Sequence, residues 1–188
     1  MSNDQIEIPL IIGGKEIRTG KTSKVVMPHN HGKTLAIYHQ ATEKEIQLAI
    51  DEALKAKEMW ENLSWIERSS IMLRAAELLS KKYRSLIVAS TMLGQGKNVY
   101  QAEIDAACEV IDYLRYNVYF ASTIYKLQPK SEFGQLNRME YRALEGFIFT
   151  VTPFNFTAIA SNLNMSVVLM GNTTVWKPAT TSLLSNYY

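Results

Sequence analysis

Apolar positions change their spacing several times along this chain, and each change marks a different kind of element. Leu10-Ile11-Ile12 and Glu16-Ile17 flank Gly13-Gly14. Glycine takes positive φ at little steric cost, so a hairpin is predicted there. Lys24 to Met27 and Thr34 to His39 read as extended pieces on either side of the turn-like Pro28-His29-Asn30-His31-Gly32. Helical spacing then takes over. Thr42 with Glu45 forms a capping box, in which hydroxyl and carboxylate satisfy first-turn backbone donors reciprocally, and Ile46, Ala49, Ile50, Ala53 and Trp60 follow at helical intervals. Ser64 with Glu67 repeats the signature ahead of Ile71, Ala75, Leu78 and Leu79, and a third helix around Leu86, Ile87 and Leu93 is expected to stop at Gly94. Asn98 with Gln101 opens the longest pattern. Its stripe runs through Ile104, Ala107, Cys108, Ile111, Leu114, Val118, Ala121 and Tyr125 in steps of three or four.

Pro129 and the polar stretch to Gly134 interrupt that pattern, and residues 137 to 143 alternate as a half-exposed strand does. Gly146 to Val151 is apolar without alternation, which predicts a parallel strand covered on both faces. Residues 156 to 170 read as a helix ended by Gly171-Asn172, Thr173 to Trp176 as a second strand, and a further helix starts near Thr180. Strand, helix, strand implies a right-handed crossover and the beginning of an α/β sheet with more strands than this chain carries.

Charge and composition narrow the function classes. Lys and Arg number 20 against 18 acids, a net +2, so there is no basic field of the kind that nucleic-acid binding needs. The single cysteine, Cys108, excludes an internal disulfide framework. His29, His31 and His39 come without a carboxylate or thiol pattern that would make a metal cage. No uncharged apolar stretch reaches ~18 residues and the first ten residues lack a signal-like run, so a cytoplasmic protein without a membrane segment is expected. Gly94-Gln95-Gly96-Lys97 lacks the Walker spacing and follows a helix, so it reads as a helix stop. The tyrosines from Tyr113 to Tyr125 have helical spacing and read as packing surface.

Chemistry concentrates at Val151-Thr152-Pro153-Phe154-Asn155-Phe156, where a buried strand meets a helix, because open α/β sheets bind ligands at the carboxyl ends of their strands. The Asn155 amide could donate to a developing oxyanion; the alternative is that its side-chain oxygen merely caps the helix, and on position alone capping has the edge. Lys177 follows the second strand at the same edge, where an ammonium could meet ribose hydroxyls or phosphate, or simply be solvated.

The segments GFIFTVTPFNFTAIASNL and LMGNTTVWKPAT together resemble the aldehyde dehydrogenase superfamily. LIIGGKEIRTGKTSKVVMPHNH and TMLGQGKNVYQAEIDAACEVIDYLRYN resemble its glutamate-semialdehyde-oxidising branch, the 1-pyrroline-5-carboxylate dehydrogenases. The likeness covers nearly the whole chain. It implies the amino-terminal part of that α/β fold: hairpins and a helical layer over residues 1–135, an oligomerisation-arm strand at 136–144, and the first strand-helix-strand of an NAD-binding sheet at 145–188. It implies Asn155 as the oxyanion stabiliser of a thiohemiacetal. Thr152, Pro153, Phe154, Lys177 and Pro178 become the cofactor-binding positions for NAD, with Lys177 on the adenosine ribose. Glu109 becomes a carboxylate that attracts the substrate's ammonium, against the plainer reading of a solvated helix charge. The activity implied is oxidation of L-glutamate 5-semialdehyde, a small-molecule aldehyde, to glutamate in proline breakdown, by a homo-oligomer when intact.

Three further points bear on the resemblance. Ala179 and Thr180 stand where members often carry a serine or alanine and then an acid that helps choose between NAD and NADP. No G-x-G-x-x-G follows the first sheet strand, which fits a family that does not use it. The catalytic cysteine and glutamate of the family lie downstream of Lys177, so the chain alone is expected to be inactive; Cys108, placed by spacing on the buried stripe, behaves there as a small hydrophobe. Another aldehyde dehydrogenase branch, or a scaffold that kept the fold without catalysis, are the alternatives.

Overall fold

A computed structural model describes residues 6–188. Its first layer is β-rich. Strand β1 (Ile6–Ile8) pairs parallel with β5 (Asn30–His39), and β4 (Thr22–Met27) pairs antiparallel with β5, giving the order β1-β5-β4. Strands β2 (Leu10–Ile12) and β3 (Lys15–Ile17) form the hairpin expected around Gly13 and Gly14, whose φ values are 56° and 74°. Ile8, Val25 and Ala36 make a small core with Leu184 from the far end of the chain.

Helices α1 (Glu43–Asn62), α2 (Trp65–Ser80) and α3 (Arg84–Gln95) follow. Both capping boxes form: the Thr42 amide donates to Glu45 at 2.9 Å, and Ser64 and Glu67 exchange bonds of 2.8 and 3.2 Å. Helix α3 runs past Gly94 to a left-handed Gly96 at φ 65°. Gly94 is instead a point of close approach, since a Cβ there would lie 3.6 Å from Leu184. After α4 (Val99–Ala102), Glu103–Glu109 is π-helical before α5 (Val110–Lys126) resumes the α repeat.

That wide turn rotates the side chains out of the phase the sequence predicts. Asp105, Ala106 and Ala107 are buried, whereas Ile104 and Cys108 are exposed. Cys108 is therefore not on the buried stripe; its sulfur lies 3.7 Å from the Arg84 guanidinium. The main core, formed by α2 to α6, includes Met72, Ala76, Ile87, Val110, Ile111 and Leu114. Of the aromatic run, Tyr113 and Tyr125 pack on this core while Tyr116, Tyr119 and Phe120 remain exposed.

Residues 136–144 join no strand ladder among the described residues, and the only bridge in this region is Glu132 with Gln135. A strand needs a ladder of backbone-to-backbone hydrogen bonds, whereas here the Met139 and Leu144 amides donate to the side chains of Gln128 and Asn172. Strand β6 (Ile148–Val151), helix α6 (Thr157–Leu169) and β7 (Thr174–Lys177) then form the expected parallel crossover unit, with Ile148 opposite Thr174 and Val151 opposite Lys177. The chain ends in a 3-10 turn (Thr180–Ser182) and α7 (Leu183–Tyr187).

Strand β6 is not covered on both faces. Thr150 is buried and donates to Asn164 of α6 at 2.6 Å, while Phe149 and Val151 are 61% and 57% exposed on the opposite face. A two-stranded sheet has apolar faces to spare, and their cover is not among these residues. No helix among the described residues is long and apolar enough to cross a membrane.

Candidate functional site

The carboxyl ends of β6 and β7 make one rim. The Thr152 amide donates to the Lys177 carbonyl at 3.4 Å, extending the parallel register by one step past Val151. Thr152 is buried, and its hydroxyl accepts the Trp176 indole N–H at 2.9 Å. Pro153 and Pro178 are half-buried, whereas Phe154, Asn155 and Lys177 are exposed on the rim. Asn155 and Lys177 thus each follow the carboxyl end of neighbouring parallel strands.

Helix α6 starts two residues beyond Asn155, and its first amides need acceptors. Asparagine 155 does not supply them. The N-cap position is Phe156, which has no side-chain oxygen, and the Asp105 carboxylate accepts the amides of Thr157 and Ala158, both at 2.9 Å. A carboxylate there also meets the positive end of the helix dipole. The Asn155 side chain makes no hydrogen bond among the described residues, so its amide N–H is available to a ligand. Capping, which position alone favoured, is performed by another residue.

Lys97 ties this cap to the rim. Its ammonium donates to Asp105 at 2.7 Å and to the Asn155 carbonyl at 2.6 Å, and it stands 4.4 Å from the Phe156 ring centroid. The other end of α6 is held equally firmly. The buried Arg68 donates from Nε to the Leu169 carbonyl at 3.0 Å and also bonds the Leu63 carbonyl at the end of α1, while Trp60 Nε1 donates to Val168 O at 2.8 Å. Asn164, fully buried, bonds both Thr150 of β6 and the Ala160 carbonyl. The loop bearing Asn155 is therefore the end of a helix fixed at both termini and along its length.

Glu109 closes the π-helical segment and is half-buried. Burial holds its carboxyl above the usual carboxylate range, the Asp105 charge pushes it further up, and Lys97 partly offsets both. Lys97 and Asp105, which support the Asn155 loop, are also the charges felt at Glu109, whose side chain makes no hydrogen bond among the described residues.

Sequence reasoning passed over Lys97 and Asp105. Lys97 was absorbed into a helix stop, and Asp105 lay between stripe positions that an α repeat would have buried in its place. Two concavities elsewhere, of about 430 Å³ along Ser70, Ile71, Arg74, Ala75 and Leu78 and about 90 Å³ between Ile12 and Glu52, include no rim residue. Phe154, Asn155 and Lys177 stand open to solvent on the rim.

Comparison with known proteins fits this architecture. A sequence model described as the aldehyde dehydrogenase family matches residues 16–188. The chain is 50% identical over 98% of its length to the mitochondrial delta-1-pyrroline-5-carboxylate dehydrogenase of Dictyostelium discoideum, covering 33% of that protein. It is 43% identical over 96% of its length to the mitochondrial enzyme of the same name from Bos taurus, covering 32% of it. A crystal structure of the delta-pyrroline-5-carboxylate dehydrogenase from Mycobacterium tuberculosis, described as bound with NAD, superposes with a TM-score of 0.96 at 46% identity, over 99% of this chain and 35% of that one.

The chain thus spans about a third of the length of these relatives. The expected cytoplasmic location does not stand, because relatives this similar are named mitochondrial. The lack of a long apolar run bears on membrane crossing and not on compartment, since organelle-targeting segments are amphipathic. By the extent of the family match and by the fold, the chain belongs to the aldehyde dehydrogenase family.

Proposed function

We propose that this chain is the amino-terminal third of an NAD-dependent dehydrogenase that oxidises L-glutamate 5-semialdehyde to L-glutamate in proline breakdown. One observation carries the reading: the Asn155 amide stands unbonded at the carboxyl rim of the parallel strands, while Asp105 takes over the capping it would otherwise do. When a nucleophile adds to an aldehyde, negative charge collects on the oxygen. A preorganised amide donor stabilises that charge by about 2.7–4 kcal/mol.

The donor set of the rim fits NAD. Lys177 offers an exposed ammonium for ribose hydroxyls, Thr152 and Pro153 set the strand end on which the cofactor would lie, and Phe154 and Pro178 add apolar surface. The cofactor, when bound, accepts a hydride from the aldehyde carbon. Ala179 and Thr180 add no acid against a ribose phosphate, so the choice of NAD over NADP rests on the resemblance.

Glu109 recognises the substrate's ammonium. A carboxylate whose charge is penalised by burial gains more from an arriving cation than a solvated one does. The nucleophilic cysteine and the water-activating glutamate come from sequence downstream of Lys177, and Cys108, beside Arg84, takes no part. Residues 136–144 serve as an arm that completes its ladder on another subunit of a homo-oligomer.

The test is substrate preference in the full-length protein. Rapid NADH formation with L-glutamate 5-semialdehyde, at a kcat/KM at least about tenfold above that for a simple aliphatic aldehyde, is expected, a discrimination of about 1.4 kcal/mol. Equal or reversed preference would assign the chain to another branch, and no NADH with any aldehyde would favour a scaffold.

A further inference from the structure

Lys97 is the first residue after Gly96, whose left-handed backbone ends α3 and turns the chain toward the rim loop. Its ammonium touches three parts of that loop's support. It bonds the Asn155 carbonyl at 2.6 Å, lies 4.4 Å from the Phe156 ring centroid, and pairs at 2.7 Å with Asp105, which holds the next two amides. The pair is shielded from water, the Lys97 side chain being 15% exposed and that of Asp105 3%. Low exposure strengthens such contacts and makes the geometry they impose stiff.

These bonds fix the main chain that follows the Asn155 Cα: its own carbonyl is held by Lys97, and the Thr157 and Ala158 amides just beyond are held by Asp105. An oxyanion donor works because it needs no reorganisation as charge develops, and a misplacement of 1 Å can cost about 10²-fold in rate.

We infer that Lys97, acting with Asp105, is a positioning residue that preorganises the Asn155 amide for the transition state. The inference rests on the oxyanion role proposed above. A lysine that served stability alone would form the same ion pair, so the test must distinguish acting through Asn155 from acting beside it.

A double-mutant cycle in the full-length protein does so. Lys97→Met, Asn155→Ala and the double variant are compared for kcat, for KM of aldehyde and NAD, and for melting temperature. Asn155→Ala lowers kcat by about 10²–10³-fold. Lys97→Met lowers it by about 10–100-fold with the KM for NAD within about twofold, and the double variant falls no lower than Asn155→Ala alone within about twofold. Losses that multiply in the double variant, or an unchanged kcat in Lys97→Met, overturn the positioning role and leave the Asn155 role intact. An unchanged kcat in Asn155→Ala overturns the function proposed above, and the positioning role with it. If Lys97→Met does not fold, Lys97→Gln carries the same cycle, since its side chain is one bond shorter, which draws the donor back from the Asn155 carbonyl, and it removes the charge beside Asp105.

Discussion

The Asp105 carboxylate accepts the backbone amide of Thr157 at 2.9 Å, across 52 residues of sequence. This single contact decides what Asn155 can do. With the start of α6 satisfied from the π-helical segment, the Asn155 side chain is not held against the helix start as a cap, and its amide can turn to a ligand. The cap also explains why the helix before α5 departs from the α repeat: the wide turn buries Asp105 with Ala106 and Ala107, whose small side chains let α6 approach.

Removing that cap should therefore be costly. Asp105→Ala leaves two amides at a buried helix start without acceptors and Lys97 without its counter-ion, and a loss of about 3–5 kcal/mol is expected. Chemical denaturation of wild type and variant checks this. A loss under about 1 kcal/mol would mean that water or another residue replaces the cap.

The opposite end of α6 gives a second prediction. Arg68 is 4% exposed and directs its guanidinium at the carbonyls of Leu169 and Leu63 and at the Tyr125 hydroxyl, 3.2 Å away, with no carboxylate partner among the described residues. Arg68→Lys keeps the charge but cannot reproduce the planar fork, so it should fail to rescue: both it and Arg68→Met lose about 2–4 kcal/mol in the same denaturation measurement.

Local chemistry was legible in the sequence, and contacts between distant segments were not. Thr42 with Glu45, Ser64 with Glu67 and Asn98 with Gln101 all form their capping boxes, because each needs only a four-residue turn. The Gly13-Gly14 hairpin and the β6-α6-β7 crossover follow from equally short-range signals. The π-helical segment was invisible since Ile104, Ala107, Cys108 and Ile111 fit a 3.6-residue repeat as well as any core stripe does. Its consequences, an exposed Cys108 and a buried Asp105, depend on the packing of α6 against it. The segment 136–144 alternates like a strand, but alternation describes two faces and supplies no hydrogen-bonded neighbour. In the candidate site, Asn155, Glu109 and the rim positions were nameable, while Lys97 and Asp105, which hold the loop after Asn155, belong to the tertiary structure.

Glu109 makes stability pH-dependent. Its carboxyl is raised from 4.5, first by burial and then by Asp105, so the folded state holds the proton more tightly than the unfolded chain. Its contribution to stability is greatest below that ordinary value and is lost as pH rises through the folded one. Glu109→Gln should gain melting temperature relative to wild type as pH rises from 4.5, while weakening binding of the aldehyde at neutral pH. A difference independent of pH would remove Glu109 from the buried cluster.

The first sheet responds to acid in the opposite sense. His39 accepts the Gly20 amide on Nδ1 at 3.2 Å, which leaves the proton on Nε2 to donate to Glu7 at 2.6 Å. That hydrogen bond holds Glu7 below its usual 4.5, so its contribution is present above that value and lost as pH falls through the folded one. Glu7→Gln should flatten the decline of melting temperature below pH 4.5. An unchanged acid slope would show that the contact carries no linkage.

The role of Asn155 is tested most directly by Asn155→Asp in the full-length protein. Aspartate is nearly the same shape and caps helices as well as asparagine does, but it has no N–H to offer and places negative charge where the oxyanion forms. A kcat at least about 10²-fold lower is expected, with a melting temperature unchanged or raised. A variant that turns over at the wild-type rate would contradict it.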